Sequence, residues 1–167
     1  MADKTIKRAS DKTTGRVVNK SAREAALAIL ERSDRTEKEV RQKLHDKGYE
    51  PEEIEEAVSF LKEYRYVNDA EYARKYTRVV SSRKSVRQIR CDLERKGVDR
   101  DQIDDALDEI EVDEEAQIRA YLLKKGYQPG ERMEAAAYRK LTGALGRKGF
   151  SYEAIRRVTD RMCEEEY

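Results

Sequence analysis

The sequence predicts an all-α protein: three tandem three-helix repeats forming an elongated, curved molecule. Three observations predict it. Helix breakers are scarce, with two prolines and eight glycines in 167 residues. Apolar residues recur at helical spacing rather than in alternation. Finally, one phrase is used three times: VRQKLHDKGYEPEEIEEAVSFL (40–61), IRCDLERKGVDRDQIDDALDEI (89–110) and LTGALGRKGFSYEAIRRVTDRM (141–162) align without a gap. Leu44, Leu93 and Leu145 each stand four residues before a Lys-Gly glycine (Gly48, Gly97, Gly149), and an isoleucine follows six residues after it. Such periodicity marks a repeat architecture.

The elements follow in order. A basic tail, with seven Lys or Arg against two Asp over residues 1–23, is expected to be loose over 1–20. Repeat 1 spans 21–66, repeat 2 spans 67–111 and repeat 3 spans 112–167. Ser21 and Glu24 fit a capping box opening the first helix, with Leu27 and Leu30 inward. Thr36 with Glu39 opens the second, which turns Val40 and Leu44 inward. Gly48 suits the left-handed residue after a helix end, and Tyr49 can fold back on the last turn. Glu50 and Pro51 start the third helix, whose stripe is Ile54, Val58 and Leu61.

Repeat 2 says the same. Asn68 and Glu71 open its first helix, with Tyr72, Tyr76 and Val79 or Val80 inward. Ser85 and Gln88 open the middle helix (Val86, Ile89, Leu93), and Asp99 opens the third (Ile103, Ala106 or Leu107, Ile110). In repeat 3, EEAQIRAYLLKK offers Ile118, Leu122 and Leu123, then a longer loop, GYQPGE, precedes a middle helix from about 133 to 148. Gly143 and Gly146 make that helix the least rigid of the three middle helices. Ser151 caps the last helix (Ile155, Val158, Met162). Each unit looks too small to bury its own apolar face, so neighbours are expected to stack.

Catalytic chemistry finds no footing. There is no phosphate-binding Gly-rich loop, no GxSxG and no HExxH. The single His45 has no partner set, and the lone Cys91 and Cys163 read as buried or semi-exposed thiols rather than zinc ligands. No catalytic residue, metal site or cofactor is expected. The longest apolar run, AALAIL (25–30), is far short of a membrane span, so a soluble, cytoplasmic monomer with no membrane association is expected.

Charge pattern carries the functional signal. Net charge is +1, yet residues 74–100 hold ten bases against three acids and residues 101–115 hold nine acids and no base. A partner bearing anionic groups is expected to meet Arg74, Arg78, Arg83, Lys84, Arg87, Arg90, Arg95 and Lys96, with Arg83, Arg87 and Arg90 on one side if the middle helix extends that far. Repeat 3 adds Arg139, Lys140, Arg147 and Lys148 on its middle helix and Arg156, Arg157 and Arg161 on its last, two adjacent basic helices that cannot neutralise each other. The competing account is pairing of each base with the acidic third helix of its own repeat. Tyr72 and Tyr76 could stack bases, but at this spacing they read as core.

The phrases NDAEYARKYTR, VRQIRCDLERKGVDRDQI and LTGALGRKGFSYEAIRRV, in this order, resemble the RecX family, bacterial regulators of the RecA recombinase. They match that family's acidic start with an aromatic-Ala pair, its Ile-Arg-x-x-Leu-x-x-Lys-Gly core and its Arg-Gly-aromatic-Ser-Tyr ending. The family often has a glycine shortly before the Ile-Arg phrase, absent from SSRKSVRQIR here. It usually has a Gly-aromatic pair before the acidic start, where this chain has Arg65-Tyr66. The resemblance implies tandem three-helix repeats, RecA and the RecA–DNA filament as partners, binding in the filament groove, and inhibition of RecA activities in recombinational repair and the SOS response. It brings no catalytic residues. A general helical module binding single- or double-stranded DNA without RecA specificity is the alternative; a scaffold whose charge serves solubility is a third reading.

Overall fold

The structure, a computed structural model, describes residues 20–165; the expected basic tail lies outside the described residues except for Lys20. Among the described residues there are nine helices and no strand: α1 (Ala22–Leu30), α2 (Glu37–Asp46), α3 (Pro51–Glu63), α4 (Asp69–Val80), α5 (Val86–Arg95), α6 (Arg100–Asp108), α7 (Glu114–Lys124), α8 (Ala135–Arg147) and α9 (Tyr152–Glu164). They form three groups of three, α1–α3, α4–α6 and α7–α9.

Local chemistry sets the ends. Ser21 and Thr36 make full capping boxes with Glu24 and Glu39. Asn68 and Ser85 accept from the amides of Glu71 and Gln88 without the reciprocal bond. Of the three residues expected to cap the third helices, Ser151 accepts from the Ala154 amide, the Glu50 amide donates to the Glu53 carboxylate at 3.0 Å, and at Asp99 no side-chain cap forms. Every middle helix ends in the same turn. Gly48, Gly97 and Gly149 have φ of 85°, 86° and 91°, and the amides of Tyr49, Val98 and Phe150 reach back to Leu44, Leu93 and Leu145. The apolar residue after each glycine is buried with its leucine, which closes the base of the core.

The apolar faces hold in outline and shift in detail. Leu27 and Leu30 are half-buried; Ala22, Ala25 and Ala26 are the buried face of α1, letting it approach α3 closely. Val80 turns inward and Val79 is 65% exposed. Leu107 and Ile110 are half-buried, and Ala106 is fully buried. Both cysteines are exposed, not buried.

The expectation that neighbours must stack to bury their faces is overturned. Each repeat closes its own cluster: Val40, Leu44, Val58 and Leu61; Ile89, Leu93, Ile103 and Ala106; Ile118, Leu122, Leu145 and Ile155. Three short helices wrap their stripes around one axis, and the buried alanines remove the bulk that would hold them apart. Each fully buried Leu or Ile contributes about 1.5–3 kcal/mol, against about 1 kcal/mol for a hydrogen bond. Folding is thus decided within repeats, and the polar contacts between repeats decide how they are joined.

Candidate functional site

The repeats meet through one joint used twice. At the first, the Thr36 hydroxyl donates to the Lys96 carbonyl at 2.6 Å; at the second, the Ser85 hydroxyl donates to the Lys148 carbonyl at 2.8 Å. Both hydroxyls are fully buried and also cap their own helices. Beside them, the Glu37 amide donates to Asp69 at 2.9 Å and the Val86 amide to Glu114 at 2.8 Å. Thus the N-termini of α2 and α5 each sit on the C-terminal end of the middle helix in the next repeat. The helices α8, α5 and α2 follow one another head to tail, which places opposite dipole ends in contact. The elongated shape follows from this line.

Against this frame the basic candidates divide. Several are neutralised inside the molecule. Arg74 pairs with Glu109 at 2.9 Å, Arg90 with Asp104 at 2.5 Å, Lys96 with Glu39 at 2.7 Å, and Arg156 with Asp160 at 3.4 Å. Lys84 lies 2.5 Å from Asp92 and 2.7 Å from the Tyr76 hydroxyl, which itself donates to Asp92 at 2.8 Å. Asp92 and the Tyr76 hydroxyl hold the Lys84 ammonium above its ordinary pKa. Burial pushes Asp92 up, but Lys84 and Tyr76 more than offset it and leave the carboxyl low. Tyr72 and Tyr76 are half-buried, stacked at 6.3 Å, and covered by Lys96 and Lys84, each 5.3 Å from its ring. They serve internal contacts rather than a base.

Two expectations are corrected. Helix α5 begins at Val86, so Arg83 belongs to the preceding turn, and Arg83, Arg87 and Arg90 form no single helical line. In repeat 3, α9 is partly neutralised from an unforeseen side. Glu115 on α7 takes both Arg157 at 2.7 Å and Arg161 at 2.6 Å. The competing account, pairing with the third helix of the same repeat, describes Arg74 and Arg90, and Arg156 within the third helix itself.

Two of the bases left over share one cleft. Among the described residues Arg78, Arg83, Arg87, Lys140 and Arg147 are exposed and make no ion pair, and Arg139 bonds its own helix at the Ala135 carbonyl. Lys148 rests 5.7 Å from the Tyr121 ring. Arg87 and Arg147, from different repeats, line one open cleft of about 440 Å³ at the second joint, with Lys84, Arg95, Cys91 and Asp92. Arg95 keeps a long 3.5 Å contact to Asp92 and its side chain is 78% exposed. The corresponding cleft at the first joint, about 660 Å³, mixes the signs: Glu37, Glu55, Asp69 and Asp99 share its walls with Lys38 and Arg41, and Arg41 pairs with Glu37 at 2.9 Å and Glu55 at 2.7 Å. Excess base is thus concentrated at the second joint, while the first is of mixed charge. Sequence reasoning reached the bases but missed the joints, whose only signal was a hydroxyl recurring 12 residues before each of the first two glycines.

Among the described residues no helix is long and apolar enough to cross a membrane, and no group of His, Cys, Asp and Glu is placed to hold a metal ion.

Comparison with known proteins gives a consistent result. Residues 22–61 match the family model for RecX, first three-helix domain, and residues 68–107 that for RecX, second three-helix domain. The chain is 35% identical over 148 residues to the regulatory protein RecX of Clostridium botulinum (strain Alaska E43 / Type E3), covering 87% of this chain and 70% of that one. It is 34% identical over 146 residues to that of Clostridium perfringens (strain 13 / Type A), covering 86% and 69%. The crystal structure of RecX from Lactobacillus salivarius superposes with a TM-score of 0.70 at 26% identity, covering 86% of this chain and 96% of that one.

Proposed function

The chain belongs to the RecX family of regulatory proteins, and from that membership we propose that it regulates the RecA recombinase by lying in the groove of the RecA–DNA filament. The observation that carries this reading is the excess of base in the cleft at the second joint, where Arg87 and Arg147 make no ion pair among the described residues and Arg95 is exposed beside them. A line of helices joined end to end suits a long, repetitive partner better than a compact one. Guanidinium groups from two repeats can then meet successive phosphates, or acidic loops of the filament, which fixes register and orientation.

In this reading the protein does no chemistry. It occupies the groove, hinders strand access or subunit addition, and so lowers the recombinase, ATPase and coprotease activities of RecA, which itself consumes the ATP. Recombinational repair and the SOS response would be damped accordingly.

The test is RecA ATPase on single-stranded DNA with this protein substoichiometric to RecA. Inhibition is expected, weakening steeply with salt as counterion release requires. The double variant Arg87→Glu, Arg147→Glu should lose it, while reversal of the exposed Lys43 in repeat 1 should not. Absence of inhibition by the unaltered chain, where filaments form, would sink the reading. Equal affinity for bare DNA and filament would favour the general DNA-binding module instead.

A further inference from the structure

The two joints repeat the same hydroxyl and amide contacts but differ in charge. Ion pairs cross the first: Lys96 meets Glu39 at 2.7 Å and Lys75 meets Asp34 at 3.3 Å. The Lys38 ammonium adds a bond to the Arg95 carbonyl at 3.1 Å. At the second joint the added bonds are neutral, from the Gln117 side-chain amide to the Ser81 and Lys84 carbonyls at 2.8 and 3.1 Å. Every ion pair that repeat 3 makes among the described residues stays inside it. The register shows why. Gln88 stands where Glu39 does and Lys148 where Lys96 does, so the second joint keeps the cation and lacks the acid. Lys148 lies instead 5.7 Å from the Tyr121 ring, which Lys125 also approaches at 5.6 Å. The cleft over this joint adds Lys84, Arg87 and Arg95 from repeat 2 and Arg147 from repeat 3; its one acid, Asp92, is already taken by Lys84. Bases thus line the cleft from both repeats, and like charges across a joint push its walls apart.

We propose that the second joint is a hinge that a nucleic-acid backbone stiffens: phosphates laid along the cleft bridge Arg87 to Arg147 and Lys148, and take the part that Glu39 plays at the first joint. The inference rests on the regulatory reading above, in which the same cleft meets the filament, and commits that contact to phosphodiester. Two features favour a phosphate chain over an acidic protein loop. The bases without an ion pair among the described residues continue past the cleft to Arg78, Arg83 and Lys140. A nucleic acid, with a charge on every nucleotide, can match such a spread where a loop with a few carboxylates cannot. The repeat 3 wall also contains Gly146 and Gly149, which let a backbone approach closely.

The consequence is a division of labour between the joints. The first is held by carboxylates of the chain itself and keeps repeats 1 and 2 in one orientation. The second bends until its bases are bridged, so the molecule can enter a helical groove and become stiff once seated. Gln88 is then a positioning residue: by leaving Lys148 without an internal acid, it keeps the joint responsive to an external anion.

The test uses the full chain with Cys91→Ser and Cys163→Ser and nitroxide pairs on exposed acids that make no ion pair among the described residues. Asp108→Cys with Glu153→Cys spans the second joint, and Glu52→Cys with Asp108→Cys spans the first. Double electron–electron resonance reads the width of each distance distribution. Without nucleic acid the second joint should be the broader. A single-stranded thymidine oligonucleotide should narrow it and leave the first unchanged, and salt should reverse the narrowing. Gln88→Glu should narrow the second joint with no oligonucleotide present and weaken oligonucleotide binding by up to about fivefold. Adding Lys148→Gln to Gln88→Glu should restore the width, which separates the ion pair from a better helix cap. Equal widths at the two joints overturn the proposal, as do an oligonucleotide that leaves the width unaltered and narrowing that survives Arg87→Glu with Arg147→Glu. Narrowing by polyglutamate and not by the oligonucleotide assigns the cleft to an acidic protein segment and overturns it too. RecA is absent from these measurements, so the two readings fail separately: inhibition of RecA with unaltered widths sinks the hinge alone, and narrowing without inhibition sinks the regulatory reading while the hinge stands.

Discussion

Gly97 and Gly149 are required twice over. Each adopts a left-handed backbone that costs other residues about 1–2 kcal/mol, and each lies under the side chains of a preceding repeat. Among the described residues Gly48 carries the first requirement alone. Gly48→Ala is therefore expected to lose about 1–2 kcal/mol in urea unfolding, from backbone strain. Gly97→Ala and Gly149→Ala should lose about 1–3 kcal/mol more from overpacking against the Lys38 stem, or against Ser85 and Arg87. Equal losses at the three sites would show the joint to be slack. The first requirement is legible in the sequence, because Lys-Gly at a helix end is a local signal. The second is not, since Lys38 and Gly97 are 59 positions apart. Arg65 is the mirror case: a non-glycine at φ 56° ending α3, where the resembling family usually has glycine. Arg65→Gly should relieve strain and raise stability, by up to about 1 kcal/mol after the entropy of a freer unfolded chain is subtracted.

At the scale of elements, the N-cap of a middle helix is also the pin of a joint. Thr36→Val removes the acceptor for the Glu39 amide and the donor to Lys96 together, an expected loss of about 1–2 kcal/mol in urea unfolding. Thr36→Ser should restore most of it, so a Ser variant as poor as Val would argue against the shared role. Glu39 ties the same joint through Lys96. Burial pushes its carboxyl up, but the Lys96 ammonium, the Thr36 amide and Arg35 more than offset this and leave it below the ordinary glutamate range. A depressed carboxyl contributes stability that is fully present above its unfolded value, roughly 4.3, and lost as pH falls through the folded one. Asp69 has the opposite sign, since burial pushes its carboxyl up and the folded state gains when it takes a proton. Acidification from about pH 6 to about pH 3 should therefore lower the urea midpoint less in Glu39→Gln than in the unaltered chain. A parallel pair of curves would remove Glu39 from the acid response.

At the scale of the whole molecule, separate cores and polar joints make three folding units in a line. Leu145→Ala should cost repeat 3 about 2–5 kcal/mol through the cavity it leaves. Hydrogen exchange at Val40, Leu44 and Leu61 in repeat 1 should scarcely change, because no apolar cluster crosses between the units. Matching loss of protection there would reveal one cooperative molecule. The same segmentation explains how near-neutral net charge coexists with a basic joint between repeats 2 and 3. Bases within reach of carboxylates such as Glu109, Asp104 and Glu115 are consumed inside the chain, whereas Arg87 and Arg147 at the α5–α8 junction make no ion pair among the described residues.

What the sequence by itself determined is local: helix starts, helix ends, the inward stripes and the threefold register. Each depends on neighbours within about four residues, so capping chemistry and periodicity suffice to read it. Tertiary structure alone decided which bases remain free and how the repeats are joined. Arg87 and Arg147 are 60 positions apart, as are Thr36 and Lys96, and no one-dimensional pattern states that such pairs meet. Charge is a property of the residue; whether it is neutralised depends on what the fold brings within a few ångströms of it.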